Sequence, residues 1–109
     1  MKLLIAGSRS ITDFDLSPHI PDGVDTIISG GASGVDSLAE QYAIKHKLSR
    51  LVMLPNYSLY GRAAPIKRNY EMVDMADAVL VVWDGKSKGT LSTINYAKKQ
   101  SKPLVLVTV

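Results

Sequence analysis

Asp25-Thr26-Ile27-Ile28-Ser29-Gly30-Gly31-Ala32-Ser33-Gly34-Val35-Asp36-Ser37-Leu38-Ala39-Glu40-Gln41-Tyr42-Ala43-Ile44-Lys45-His46-Lys47 holds three structural signals in a row. A short apolar run comes first, a glycine-rich bend follows, and an amphipathic segment closes the stretch. From Gly34 to Lys47 the apolar residues Val35, Leu38, Ala39, Tyr42 and Ala43 recur at i, i+3, i+4, i+7 and i+8. Asp36, Glu40, Lys45 and Lys47 fall on other faces, as in a helix with one buried stripe. The order is strand, tight turn, helix, which is half of a parallel βαβ unit.

The same unit recurs along the chain. Leu3-Leu4-Ile5-Ala6 ends at Gly7, Arg50-Leu51-Val52-Met53-Leu54 ends at Pro55, and Ala78-Val79-Leu80-Val81-Val82-Trp83 ends at Asp84-Gly85. Pro103-Leu104-Val105-Leu106-Val107-Thr108-Val109 is the last run. These runs are mostly continuous rather than alternating, and most are β-branched, which predicts buried parallel strands. Between them, Ala64–Met75 places Ile66, Tyr70 and Val73 on one stripe, and Thr90–Gln100 places Leu91, Ile94 and Ala97 on another. Asp13–His19 reads as a short helix or an ordered loop, and Pro55–Arg62 as the longest irregular loop near the middle. Strands alternating with helices predict an α/β fold: a five-stranded parallel sheet, helices on both faces, right-handed crossovers.

Composition agrees. The chain has 109 residues, 46% hydrophobic and 21% charged, the length of a single domain spanning 1–109 and enough to bury a core. It has no cysteine, so disulfides, thiolate metal sites and a cysteine nucleophile are excluded. His19 and His46 stand alone, with no partner at metal-ligand spacing, and no metal is expected. The N-terminal apolar run is too short for a signal peptide or a membrane span, which predicts a soluble, cytoplasmic protein without a membrane partner. Net charge is +3, but it is uneven: residues 1–44 carry −4 and residues 45–109 carry +7. Such a bias predicts an anionic partner, although Lys98, Lys99 and Lys102 read as solvated surface.

In open α/β sheets, ligands bind beyond the carboxyl ends of the strands. The segments there are Gly7-Ser8-Arg9-Ser10, then Ser29 through Asp36, then Pro55-Asn56-Tyr57, and Asp84-Gly85-Lys86-Ser87-Lys88-Gly89-Thr90. Gly30, Gly31 and Gly34 let backbone approach a ligand closely, and the following helix turns its unpaired amides and positive dipole end to the same space. That arrangement suits phosphate. The plainer alternative is a tight βα turn in which Asp36 complements the helix start. Neither G-x-G-x-x-G nor the Walker pattern is present. Ser87 or Thr90 can cap the last helix. Arg68 offers a planar fork for phosphate or carboxylate, Asn69 a donor and an acceptor for a sugar hydroxyl or base edge, and Arg9 a second guanidinium. Glu71 and Asp36 are the carboxylates that could act as a general base, with helix-surface and helix-start roles as the alternatives. Tyr57, Tyr60 and Trp83 can offer stacking faces, or Trp83 can be core.

Taken in order, Ile5-Ala6-Gly7-Ser8-Arg9, Ile28-Ser29-Gly30-Gly31-Ala32-Ser33-Gly34-Val35-Asp36, Leu54-Pro55, Tyr60-Gly61-Arg62-Ala63-Ala64, Arg68-Asn69-Tyr70-Glu71-Met72, Ala76-Asp77 and Trp83 through Thr90 span nearly the whole chain. This set resembles the YspA/YpsA-related branch of the SLOG superfamily, which includes DprA and the LONELY GUY phosphoribohydrolases. The resemblance implies a Rossmann-like fold with a nucleotide or nucleotide-derived ligand at the strand carboxyl ends. It implies that Gly30, Gly31 and Gly34, with Ser87, Gly89 and Thr90, line the phosphates, that Arg68 is the arginine of an Arg-Asn motif, and that the protein forms a homo-oligomer, often a dimer in such proteins. The LONELY GUY motif Gly-Gly-x-Gly-Thr-x-x-Glu is not retained: Thr93 stands where its glutamate would be, and Lys86-Ser87 replaces the paired glycines.

The expected ligand-binding set is therefore Gly7, Ser8, Arg9, Ser29, Gly30, Gly31, Gly34, Asp36, Arg68, Asn69, Asp84, Ser87, Gly89 and Thr90. The first reading is a nucleotide-binding sensor or module. The second is a hydrolase acting on an N-glycosidic or phosphate ester bond of a nucleotide. The third is single-stranded nucleic-acid binding of the DprA kind.

Overall fold

Parallel strands sort their side chains by alternation, and here that alternation divides the core in two. The computed structural model describes Met1–Val109. Five strands, β1 Lys2–Gly7, β2 Thr26–Ser29, β3 Ser49–Val52, β4 Ala78–Trp83 and β5 Leu104–Thr108, form one sheet in the order β3-β2-β1-β4-β5. Every pairing is parallel. Leu3, Ile5, Ile27, Leu80 and Val82 point to one face and pack with Val35, Ala39 and Ala43 of helix α1, Val35–Lys45. Leu4, Ala6, Ile28, Val79 and Val81 point to the other. There they meet Met72 and Val73 of helix α3, Ala64–Met75, and Ile94 and Ala97 of helix α4, Lys88–Lys99. This is a three-layer, Rossmann-like α/β fold.

The helix boundaries follow from local chemistry. Pro65 opens α3, where a missing N–H costs nothing. Ser87 caps α4, its Oγ accepting from the Thr90 amide at 3.3 Å. α1 and α4 both end where a non-glycine residue turns left-handed: Lys47 at φ 56° and Ser101 at φ 55°. In each case the next amide reaches back across the turn, Leu48 to the Ala43 carbonyl at 2.8 Å and Lys102 to that of Ala97 at 3.0 Å. No glycine advertises these stops, so the apolar pattern overruns both ends, to Lys47 and Gln100.

Three expectations need correction. The strands are not all buried: β3 and β5 are the sheet edges, and Val52, Val105 and Leu106 are exposed. An edge strand lacks a neighbour on one side and is only partly covered by helices. Ile66 and Leu91, expected on buried stripes, are also exposed, and Ala64, Met72 and Thr93 are buried instead. The segment expected to be loop at Pro55–Arg62 contains a one-turn helix, α2 (Tyr57–Tyr60), capped by Asn56, followed by a 3-10 turn over Gly61–Ala63. Of Asp13–His19, only Ser17–His19 is helical, as a 3-10 turn. No helix is long and apolar enough to cross a membrane.

Gly34 marks the tightest junction. It sits at φ 74°, and a Cβ there would lie 2.5 Å from the carbonyl oxygens of both Ser8 and Arg9. Gly34→Ala will lower stability by about 1–3 kcal/mol through backbone strain, with the clash in addition. Leu4→Ala, at a wholly buried site, will cost about 2–5 kcal/mol. Urea unfolding of the two variants checks both values.

Candidate functional site

From the centre of the sheet, β2 and β3 are added outward on one side of β1, and β4 and β5 on the other, so the strand order reverses between the parallel β1 and β4. Such a switch point leaves a crevice at the strand carboxyl ends. Ser8 builds its floor. It is buried; its amide donates to the Val82 carbonyl at 3.1 Å, and its Oγ accepts from the Asp84 amide at 3.0 Å. Its carbonyl accepts from the Ile11 and Val35 amides, each at 3.3 Å. One residue thus ties β1, the β4 loop and the start of α1 together.

A cleft of about 380 Å³ opens above this floor. It takes Gly7, Arg9 and Ser10 from the first loop, Ala32 and Asp36 from the second, and Pro65, Arg68 and Asn69 from α3. Asp84, Ser87, Gly89, Thr90 and Thr93 come from the fourth loop and α4, and Ala6 completes it. The first turns of α1, α3 and α4 all contribute. The volume lies near the lower end of the roughly 300–1,000 Å³ of small-molecule sites.

Of the residues expected at the site, Gly7, Arg9, Asp36, Arg68, Asn69, Asp84, Ser87, Gly89 and Thr90 line this cleft together. Ser8, Ser29, Gly30, Gly31 and Gly34 do not line it. Gly30 is buried, and a Cβ on it would meet Arg68 Nη1 and Asp36 Oδ2, each at 2.9 Å. Its bareness makes room for those two side chains rather than for a ligand. Ser29 Oγ is buried without a hydrogen-bond partner. Glu71 is exposed and outside the cleft. Tyr57, Tyr60 and Trp83 do not line it either; Trp83 packs on the core and donates its indole N–H to the Ser87 carbonyl at 3.0 Å. Ala6, Ser10, Ala32, Pro65 and Thr93 were not singled out by sequence. Ser10 had a signal, being next to Arg9 in a loop after a strand; the others have ordinary core or helix-start character.

Arg68 is half-buried and heavily engaged. Nη1 donates to the Gly30 carbonyl at 2.7 Å and to the Met53 carbonyl at 3.3 Å, and Nε donates to Asn69 Oδ1 at 2.9 Å. The expected open fork is thus mostly spent on clamping the β2 and β3 loops to α3, which leaves Nη2 without a protein partner. Because Nε must face an oxygen, the Asn69 amide is oriented and its Nδ2 is free. Burial pushes the guanidinium below its ordinary pKa, and the nearby Asp36 charge pulls it back part of the way.

Asp36 is 8% exposed. Its Oδ2 accepts from the Ala32 amide at 3.1 Å; Oδ1 takes no hydrogen bond from the protein. Burial raises its pKa, against opposing pulls from the Ala32 amide and the Arg68 charge. Neither Arg68 nor Arg9 is within ion-pair distance of any carboxylate; the only ion pair joins the Met1 amino group to Asp25. Asp84 is different. Oδ1 accepts from the Lys86 amide at 2.8 Å and the Ser87 amide at 2.9 Å, and Oδ2 accepts from Ser10 Oγ at 2.9 Å. These donors hold its pKa far below the usual carboxylate range. It is a brace for the loop. Thr93 Oγ1 turns back to the Gly89 carbonyl at 3.3 Å.

The amides of Lys88 and Gly89, at the start of α4, have no partner in the protein. Gly89 lines the cleft, Lys88 does not, and a Cβ built on Gly89 meets nothing within 4 Å. The cleft thus offers a free amide in a helix first turn, two arginines without a carboxylate partner and one acceptor, Asp36 Oδ1, that no protein group pairs.

Comparison with family models, with curated proteins and with solved structures finds no match for this chain.

Asp84 gives a pH prediction. Its folded pKa is depressed, so its contribution to stability is complete above its ordinary value of 3.8 and is lost as pH falls below that. Asp84→Asn will therefore destabilise the protein at neutral pH and flatten the loss of stability on acidification below pH 3.8. Thermal unfolding of both proteins from pH 7 to pH 2.5 measures the difference.

Proposed function

We propose that this protein binds a nucleotide or a nucleotide-derived small molecule in the cleft between β1 and β4, with the phosphate at the start of α4. The observation that carries the reading is the meeting, in one cleft, of the free Gly89 amide in the first turn of α4 with two arginines, Arg9 and Arg68, that have no carboxylate partner. Unpaired helix-start amides and guanidinium groups attract an anion. A lining of hydroxyls, amides and charges, with Ala6, Ala32 and Pro65 among its few apolar members, favours a polar guest. The resemblance to the SLOG superfamily points the same way, and membership of it is part of this proposal. The role is that of a sensor or binding module. Among the carboxylates expected to act as a general base, Glu71 lies outside the cleft and Asp36 inside it.

The test is calorimetric titration with inorganic phosphate and the four nucleoside monophosphates. Saturable heat is expected with the nucleotides. Gly89→Asp adds a negative charge at the helix start, where it favours the macrodipole by about 0.3–1 kcal/mol. This variant will melt no lower than the parent protein yet lose nucleotide affinity by more than about tenfold. Absence of heat with every probe overturns the reading; unchanged affinity in Gly89→Asp moves the phosphate away from α4.

A further inference from the structure

Within one cleft, Asp36 is placed against the rule that buried carboxylates are paired. It is 8% exposed, keeps Oδ1 open, and forms no ion pair although Arg68 is close. A carboxylate repels the phosphate that the α4 amides attract. A guest lying across the cleft must therefore present hydrogen-bond donors to Asp36 and its negative charge elsewhere. Neutral hydroxyls satisfy that demand. In the same cleft, the oriented Asn69 amide adds a free Nδ2 donor, so the lining offers an acceptor and a donor to one guest. A vicinal diol can give one hydrogen to the carboxylate and take one from the amide.

No aromatic ring lines the cleft, so no side-chain ring there grips a base by stacking. Its modest volume suits a sugar phosphate better than a dinucleotide. We infer that Asp36 and Asn69 form a subsite for the vicinal hydroxyls of a ribosyl phosphate, and that this sugar, rather than the base, is the part of the ligand the protein reads. The inference rests on the nucleotide reading above and deepens it. Two sources supply the same chemistry, a ribonucleotide and a free ribose phosphate, and the probes separate them. A bound diol takes the place of water at Asp36 Oδ1, and a hydrogen bond to a charged group is strong enough to be seen in affinity.

The experiment titrates the full chain with AMP, 2′,3′-dideoxy-AMP and ribose 5-phosphate, and repeats the titrations on Asp36→Asn. Asparagine keeps an oxygen for the Ala32 amide and removes the charged acceptor. The wild type is expected to bind AMP about tenfold or more tighter than the dideoxy form. In Asp36→Asn, the preference for AMP over dideoxy-AMP is expected to vanish, the two binding alike, with any gain from removing the negative charge shared by both. Ribose 5-phosphate matching AMP assigns the recognition to the sugar phosphate alone; ribose 5-phosphate failing where AMP binds overturns the claim that the base is not read. Equal binding of AMP and dideoxy-AMP by the wild type overturns the diol subsite while leaving the nucleotide reading intact. The wild-type comparison needs no variant, so misfolding of Asp36→Asn does not rescue the inference. If none of the three probes binds, the nucleotide reading falls and the subsite falls with it.

Discussion

Reversal of the strand order between the parallel neighbours β1 and β4 is the constraint on which the rest of the molecule depends. Two adjacent parallel strands whose following segments leave in opposite directions cannot close the space above their ends. Something must hold that gap open without leaving buried polar groups unpaired, and Ser8 does so. Its amide, hydroxyl and carbonyl together serve Val82, Asp84, Ile11 and Val35. Because Ser8 is buried, each of these bonds is shielded from competing water. Gly34 must then pass within van der Waals range of the Ser8 and Arg9 carbonyls, which accounts for the bare backbone there.

A second tie complements the first. Arg68 reaches from α3 to the carbonyls after β2 and β3, so it positions the glycine loop as well as facing the cleft. The electrostatic pattern around it is uneven in a useful way. Asp84 is saturated with donors and acts as an internal brace, whereas Asp36 is buried with one oxygen open. The two acids share a cleft but differ in environment, and only one is available to a guest. Burial without full compensation is unfavourable for the folded chain alone, which is the usual signature of a group kept for binding rather than for stability.

Much of this was legible beforehand. Continuous apolar runs at Leu3–Ala6 and Ala78–Trp83, separated by helical periodicity, announced a parallel sheet, and the positions after them announced the loops of the cleft. Arg9, Asp36, Arg68, Asn69, Asp84 and Gly89 were named as site residues from those positions. The stripes of α3 and α4 were read less well, because Ile66 and Leu91 fit the helical period while facing away from the sheet. The helix at Tyr57–Tyr60 was missed: one turn is too short to show a period, and its only signal was Asn56 as a cap. Sequence position alone does not show that Gly30 yields its space to Arg68 and Asp36, because those side chains come from other elements.

By itself, then, the order of residues determined the class of fold, the number of strands and the rim on which polar loops gather, because alternation, periodicity and small-residue bends are local properties. Tertiary structure alone decided which strands became edges, which side of each helix was covered, and how Arg68 divided its donors between protein and guest. Those outcomes depend on distances between segments far apart along the chain. A guanidinium thirty-eight residues from Gly30 meets its carbonyl only after both α3 and β2 have docked on the sheet.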